Sequence, residues 1–534
     1  MSNRTGLLLV VVLATALYVP SLRNGFAYDD VAIIERDSRV HSLSKLPELV
    51  STSYWRADDL GLYRPLVSAS YAFDWAVSGG RPFWFHAVNA LWNAAACGAL
   101  FLLLTRFAPV GAALTGAVLF AVHPVHVEAV ANVVGRAELM AAAFVLFALW
   151  LWAGRDPDRP LRRRTLLAIT VCFALALLSK ESAIMLPALA VLVDVGRGTL
   201  GPRALGPWLR RNAGALVLLA GVTAAYLVLR TAVLGNVGPA RLDPVLEIGT
   251  PLQQRLTALQ MWPVVLRLLV LPDVLLADYS AQIIMPALTW TPDVILGALL
   301  LALLLIGGMI AFWRGNGRLA LVLLWVPVAL FTASNLVILI GVIVAERALY
   351  LPSAAVAFAA TLALAAVPAV RARRLLLAGV GAACLALAVR SLVRIPEWRS
   401  TDAVFAALLR DRPDSFRGHW HYARIALRDR EHALALQRYS HAIQLWPYRR
   451  ALVAEAASQA SLLGDREFAF RLSRFMVERW PDDLDAARMF AGGALDRGDT
   501  TAARLTIDRA LLVHPRDSLL LRMRAALAAD SAAS

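Results

Sequence analysis

Cysteine is almost missing from this 534-residue chain, which holds only three. Cys97, Cys172 and Cys384 all lie inside hydrophobic segments. So few, so placed, give no disulfide framework and no Cys-ligated metal site; they read as small core residues. Acidic residues are the second scarcity: 38 Asp and Glu stand against 53 Lys and Arg, a formal net charge of +15. In a soluble protein that excess would point to nucleic acid. Here no basic stretch is interleaved with the aromatic residues that a nucleic-acid groove needs, so DNA and RNA are not expected partners. The chain also lacks a Gly-rich phosphate loop and a Gly-x-Ser-x-Gly elbow in a strand–turn–helix context, which leaves nucleotide-dependent chemistry without support.

Apolar sequence is what the chain has in excess, with 59% hydrophobic residues and a mean hydropathy of +0.62. Runs close to the ~20 residues that cross a bilayer recur along its first three quarters. Spans are expected at roughly 6–22, 86–105, 109–127, 137–154, 165–179, 182–196, 213–233, 292–312, 319–340, 350–368 and 375–394. The first is not read as a cleaved signal, because Tyr18-Val19-Pro20-Ser21 lacks the small-residue cleavage pattern and further spans follow. The segment Arg255–Leu271 is apolar but interrupted by Pro263 and Arg267, and reads as a re-entrant or surface helix. The arginines gather between spans, as at Arg159–Arg164, Arg203–Arg211, Arg314–Arg318 and Arg371–Arg374. Placing these clusters in the cytoplasm orients all eleven spans. The amino terminus then faces the cytoplasm, while the loop 23–85 and the carboxyl end face outside.

After about residue 395 the sequence becomes amphipathic and repeats. Pro413, Pro447, Pro481 and Pro515 are spaced by 34 each time. Twelve residues before each stand Thr401, Ala435, Ala469 and Ala503; five before stand Leu408, Ala442, Met476 and Ala510. Gly464-Asp465 and Gly498-Asp499 mark turns between paired helices. This is the tetratricopeptide signature, in which small residues let paired helices approach and proline closes the second. The expected fold is therefore all-α: a polytopic membrane bundle of about eleven spans over 1–395, then a short α-solenoid of about three and a half repeats over 396–534.

The groups able to do chemistry cluster on the expected outer side. Asp29 and Asp30 follow the first span and face water against the membrane surface, where a base could meet a lipid-borne and a water-borne reactant together. His123, His126 and Glu128 open the second outer connection, followed by Arg136 and Glu138. Lys180-Glu181 forms a very short turn: the 15 residues from Thr165 to Ser179 make only about 22 Å of helix against a ~30 Å hydrocarbon core. A lysine sheltered at that depth has a partner or a task. Glu346-Arg347 with Tyr350, and Arg64 and His86 in or beside the first loop, complete the set. Each has a plain structural alternative. Lys180 and Glu181 would neutralise one another, Glu346 and Arg347 would pair, and Asp29-Asp30 would cap a turn. His123, His126 and Glu128 have metal-like spacing, but Pro124 breaks the helix between them and no further ligands follow.

The ordered set Asn24-Gly25-Phe26-Ala27-Tyr28-Asp29-Asp30, Tyr63-Arg64-Pro65-Leu66, His123-Pro124-Val125-His126-Val127-Glu128, Ser179-Lys180-Glu181 and Ala345-Glu346-Arg347-Ala348-Leu349-Tyr350 resembles the transmembrane and tetratricopeptide-repeat O-mannosyltransferases. That family belongs to the GT-C glycosyltransferases. The resemblance implies transfer of mannose, with inversion, from a polyprenyl-phosphate donor to protein Ser or Thr hydroxyls. Its acidic pair matches Asp29 and Asp30, one of which would be the base. Arg347, Lys180, Arg136 and Arg64 are candidates for the donor phosphate, and His86, His123, His126, Glu128, Glu181, Glu346 and Tyr350 would line or brace the site. No metal or other cofactor is expected. The Ala-, Leu- and Arg-rich composition points to a bacterial member in the inner membrane with its repeats on the periplasmic side, which opens an envelope glycan as a second acceptor. Two rivals stand beside this reading: a scaffold that recruits partners through its repeats, and a lipid or solute transporter.

Overall fold

The computed structural model describes residues 1–56, 61–235, 242–281 and 283–533. Among them secondary structure is helical, apart from a lone bridge between Ser280 and Ile284. Two compact units are formed, Met1–Ala407 and Leu408–Ser534. Hydropathy divides the chain at 395; packing divides it later, because residues following Arg394 still fold against the first unit.

Among the described residues of the first unit, seven helices are long and apolar enough to cross a membrane: Asn3–Arg23, Pro82–Leu104, Val133–Ala153, Pro202–Leu234, Pro292–Trp313, Glu346–Ala366 and Val370–Trp398. Val110–Ala121 and Pro124–Ala131 make an eighth if taken together, bent by 51°. The bend has a local cause: Pro124 cannot continue the preceding helix. The segments expected at 165–179, 182–196 and 319–340 hold the shorter helices Arg163–Ser179, Leu186–Gly196 and Gly317–Ala329. Two are shorter than hydropathy implies. Residues 181–185 form a tight turn ahead of Pro187. Past Pro327 the chain leaves the helix, and the Asn335 side chain ties the irregular stretch by accepting from the Ile340 amide and donating to the Val342 carbonyl. The interrupted segment 255–271 lies in two short helices, Pro251–Leu259 and Met261–Val270.

Val133–Ala153 is the central post, 83% of its apolar window lying inside the protein, whereas for Pro202–Leu234 and Val370–Trp398 that share is 11%. The inner helices pack through small residues, as membrane helices do when dispersion rather than water drives association. A β-carbon on Gly116 would stand 2.0 Å from Thr361 Oγ1 and 2.5 Å from the Ala357 carbonyl oxygen. Only glycine lets Val110–Ala121 approach Ala354–Ala366 this closely.

In the second unit the helices pair as Phe416–Arg428 with His432–Leu445, Arg450–Leu462 with Arg466–Arg479, and Leu484–Leu495 with Thr500–Val513. Ser518–Ala533 packs on the last of these. Pro447, Pro481 and Pro515 each stand just beyond the second helix of a pair. Ala435, Ala442, Ala469, Met476, Ala503 and Ala510 are all buried where helices meet. The turn inside each pair needs one left-handed residue. Gly464 and Gly498 supply it with φ of 85° and 77°, but in the first pair the position falls to Arg430 at φ 63°. A residue with a β-carbon is strained there by about 1–2 kcal/mol. Arg430→Gly is therefore expected to stabilise the second unit by about 1 kcal/mol, read as a rise in its thermal or urea midpoint. A fall would show that the arginine side chain contributes more than its backbone costs.

Candidate active site

Asp29 and Asp30 diverge although they are neighbours. Asp30 is fully buried. Its Oδ2 accepts from the Ala27 and Val133 amides at 3.2 Å each, and its Oδ1 from the Val134 amide at 2.8 Å. It thus fastens the first loop to the start of the central helix. Burial pushes its carboxyl up to about 7; the three amides oppose the rise, and nearby Asp29 adds to it. Asp29 is part-exposed, and its Oδ2 accepts from Arg347 Nη1 at 3.0 Å. One carboxylate is thus an anchor and the other remains part-exposed beside a cation.

The residue before Asp29 is strained. Tyr28 has φ 54°, a left-handed conformation that costs a bulky residue about 1–3 kcal/mol and persists only where its surroundings fix it. Its amide donates to Thr401 Oγ1 at 2.9 Å and its ring meets Phe405 edge-on at 5.6 Å.

Arg347 opens the tight turn Glu346–Leu349. Its guanidinium bridges Asp29 and Glu128, the latter at 3.2 Å, while its amide donates to Glu128 Oε2 at 2.9 Å. Glu128 stands on the short helix Val127–Ala131 that follows the bend. The pairing expected between Glu346 and Arg347 is absent, because consecutive residues on this turn point apart. Glu346 is buried against Arg394 at 3.3 Å, the Tyr279 hydroxyl at 2.9 Å and the Leu276 amide.

Lys180 and Glu181 diverge in the same way. Lys180 pairs with Glu138. Glu181 receives Arg64 in a two-pronged contact, Nη2 at 2.8 Å and Nε at 3.2 Å. Burial, then the Arg64 and Arg347 charges, hold the Lys180 ammonium well below the ordinary lysine value. Although burial opposes it, the pull of Arg64 and Lys180 lowers Glu181 to about 2. Arg64, Lys180 and Arg347 therefore feel one another across a single polar cluster, each held by a carboxylate and each partly open, with side chains 11%, 13% and 21% exposed. Tyr54 lies among them, its ring 5.4 Å from the Arg64 guanidinium. Burial chiefly lifts its hydroxyl to about 12, with Asp29 and Asp30 adding to the rise.

The other candidates lie in the wall. Arg136 is fully buried and committed to Asp74, Asn89 Oδ1 at 2.8 Å, Ser70 Oγ at 3.1 Å and the Phe85 carbonyl at 3.1 Å. His86 Nε2 lies 3.2 Å from the Gly25 carbonyl oxygen and braces the loop before Asp29. His123 reaches the Leu269 carbonyl oxygen at 3.0 Å, His126 the Ser353 hydroxyl at 2.8 Å, and Tyr350 donates to Asn93 Oδ1 at 2.7 Å. His123, His126 and Glu128 thus turn to different partners; among the described residues no three His, Cys, Asp or Glu side chains converge as a metal ligand set. Tyr54, Asp74, Tyr279 and Arg394 are not among the expected site residues, and Thr401 is expected only as a position in the 34-residue phase; contacts such as Asp74 with Arg136, Tyr279 with Glu346 and Thr401 with Tyr28 join distant segments and leave no local signal.

No family profile matches the chain. It is similar to the protein O-mannosyl-transferase TMTC3 of Mus musculus, 29% identical over 377 residues that cover 65% of this chain and 40% of the relative. The Drosophila melanogaster Tmtc3 is 28% identical over 422 residues, 66% of this chain and 45% of the relative. The Homo sapiens TMTC4 is 28% identical over 493 residues, 81% of this chain and 65% of the relative. The chain thus spans about two fifths of the length of the TMTC3 proteins it matches.

Asp30 gives this site a pH signature. Its folded value, raised above that of a free carboxyl, adds stability that is full below about pH 4 and lost as pH rises through about 7. The stability margin of wild type over Asp30→Asn is expected to shrink across that window, by up to roughly 1.4 kcal/mol per pH unit, and to level above it. Unfolding followed in detergent from pH 4 to 8 checks this; parallel curves would place the Asp30 carboxyl near its ordinary value.

Proposed function

We propose that this protein is a membrane glycosyltransferase that moves a monosaccharide, mannose by its similarity, from a polyprenyl-phosphate donor to a Ser or Thr hydroxyl of a protein on the outer face of the membrane, in the manner of a GT-C enzyme. The observation that carries the reading is the Asp29–Arg347–Glu128 contact, with Arg64 and Lys180 beside it. It combines a part-exposed carboxylate with several sheltered cations among apolar helices, which suits a reaction between a lipid phosphate ester and a hydroxyl. The named activity of the similar proteins supports the same reading.

The chemistry follows from the two needs of such a transfer. A Ser or Thr hydroxyl is a weak nucleophile until a carboxylate takes its proton. Asp29 does this as the hydroxyl oxygen bonds to the sugar's anomeric carbon from the face opposite the phosphate. The bond from that carbon to the phosphate oxygen breaks, so configuration inverts, and its electron pair leaves on the lipid phosphate. Arg347, Lys180 and Arg64 stabilise that charge in a water-poor setting where fixed cations act strongly. Because Glu128, Glu138 and Glu181 already hold these cations, an arriving phosphate shares or displaces carboxylates rather than meeting bare charge. Asp30 keeps Asp29 in register through the loop backbone. The donor has one phosphate, which three cationic side chains can hold, so the reading requires no cofactor.

Asp29→Asn is expected to lower transfer by about 10²–10⁴-fold. Purified wild type and variant in lipid would be offered polyprenyl-phosphate sugars with and without peptides, with release of lipid phosphate measured. Equal turnover by both would move the base elsewhere. No turnover by folded wild type on any donor would favour the scaffold or transporter readings. Arg347→Gln should reduce donor use in the same assay while leaving acceptor KM near wild type. A change confined to acceptor KM would remove Arg347 from the phosphate.

A further inference from the structure

The segment that leads out of the last membrane helix returns to the loop that carries the base. Asn24 Nδ2 donates to the Ile395 carbonyl at 3.2 Å, and the Gly25 amide to the Arg399 carbonyl at 3.0 Å. The strained Tyr28 is held by Thr401 Oγ1 and packed on Phe405. Four contacts from Ile395–Phe405 thus grip residues 24–28, and the next residue is Asp29.

Thr401 occupies an informative position. In the 34-residue phase it stands where the later copies carry Ala435, Ala469 and Ala503, all buried at helix contacts. A threonine is not needed there for packing, nor for starting its helix. Ser400 already caps it, its Oγ accepting from the Ala403 amide at 3.2 Å. The hydroxyl is directed instead to the amide of a residue whose backbone needs an external hold.

We infer that Thr401 is a positioning residue for Asp29, and that the start of the helix Thr401–Asp411, with Phe405, belongs to the catalytic apparatus. Thr401 fixes the Tyr28 amide, and the fixed left-handed Tyr28 aims the Asp29 carboxylate toward Arg347 and the acceptor hydroxyl. The inference rests on Asp29 being the base.

Two full-length variants test it. Thr401→Ala takes the residue of the other copies and keeps the Ser400 cap; Thr401→Ser keeps the hydroxyl. Hydrogen–deuterium exchange of the peptide covering residues 24–31 is read together with kcat and KM for transfer. In Thr401→Ala the Tyr28 amide should exchange at least tenfold faster and kcat should fall about tenfold, with donor KM unchanged. Thr401→Ser should restore both. Unchanged exchange in Thr401→Ala, a serine variant as impaired as the alanine one, or a loss expressed only in KM would overturn the assignment. Exchange judges the positioning alone, whereas a wild type that turns over no donor would sink the transferase reading and not this contact.

Discussion

A buried guanidinium at the head of the central helix is the constraint on which the membrane unit depends. Arg136 is sealed from solvent and ties three pieces of chain together: Asp74 and Ser70 on Pro65–Ser78, Asn89 and the Phe85 carbonyl on Pro82–Leu104, and its own helix. A charge so placed is tolerable only when every donor is matched, and removing one partner leaves the other uncompensated at a cost of about 3–5 kcal/mol. The helix Pro65–Ser78 is therefore fixed to the membrane helices by more than apolar contact. Asp30 adds a second clamp three residues upstream, on the Val133 and Val134 amides. Together the two set the height of the loop that holds Asp29.

The cations beyond that clamp follow a different rule. Arg64, Lys180 and Arg347 are each paired, yet none is sealed. A pair in this intermediate setting gives little net stability, because desolvation offsets much of the attraction, so it can exchange partners at modest cost. That suits charges proposed to meet a phosphate and release it. Arg136, with each guanidinium nitrogen engaged and no exposure, could not do so without unfolding its surroundings.

Much of the architecture was legible in the sequence. The 34-residue proline phase located three helix pairs, since a proline in a helix interior removes a backbone hydrogen bond and clashes with the preceding turn, and hydropathy found a helix in every apolar segment. Helix length was less legible. At 182–196 and 319–340, proline and side-chain bonds to the backbone shorten helices that composition alone would extend. Pairing was the least legible. Lys180 and Glu181, like Glu346 and Arg347, are adjacent in sequence and attractive on paper, but both lie at tight turns where successive side chains point apart. Their true partners, Glu138, Arg64, Arg394 and Asp29, are set by the bundle.

The same reasoning explains why Asp29 and Asp30 could not be separated by sequence. An acidic pair offers two equivalent carboxylates until something distinguishes them, and here the distinction is backbone conformation. Tyr28 in the left-handed region precedes a divergence in which Asp29 stays at the open cluster while Asp30 enters the protein to meet amides. Such a conformation persists only where surrounding contacts over-determine it; Thr401 and Phe405 hold Tyr28 itself, while Arg399 and His86 hold Gly25 three residues before it. The cost of the strained residue is thus spread over a scaffold drawn from both ends of the membrane unit.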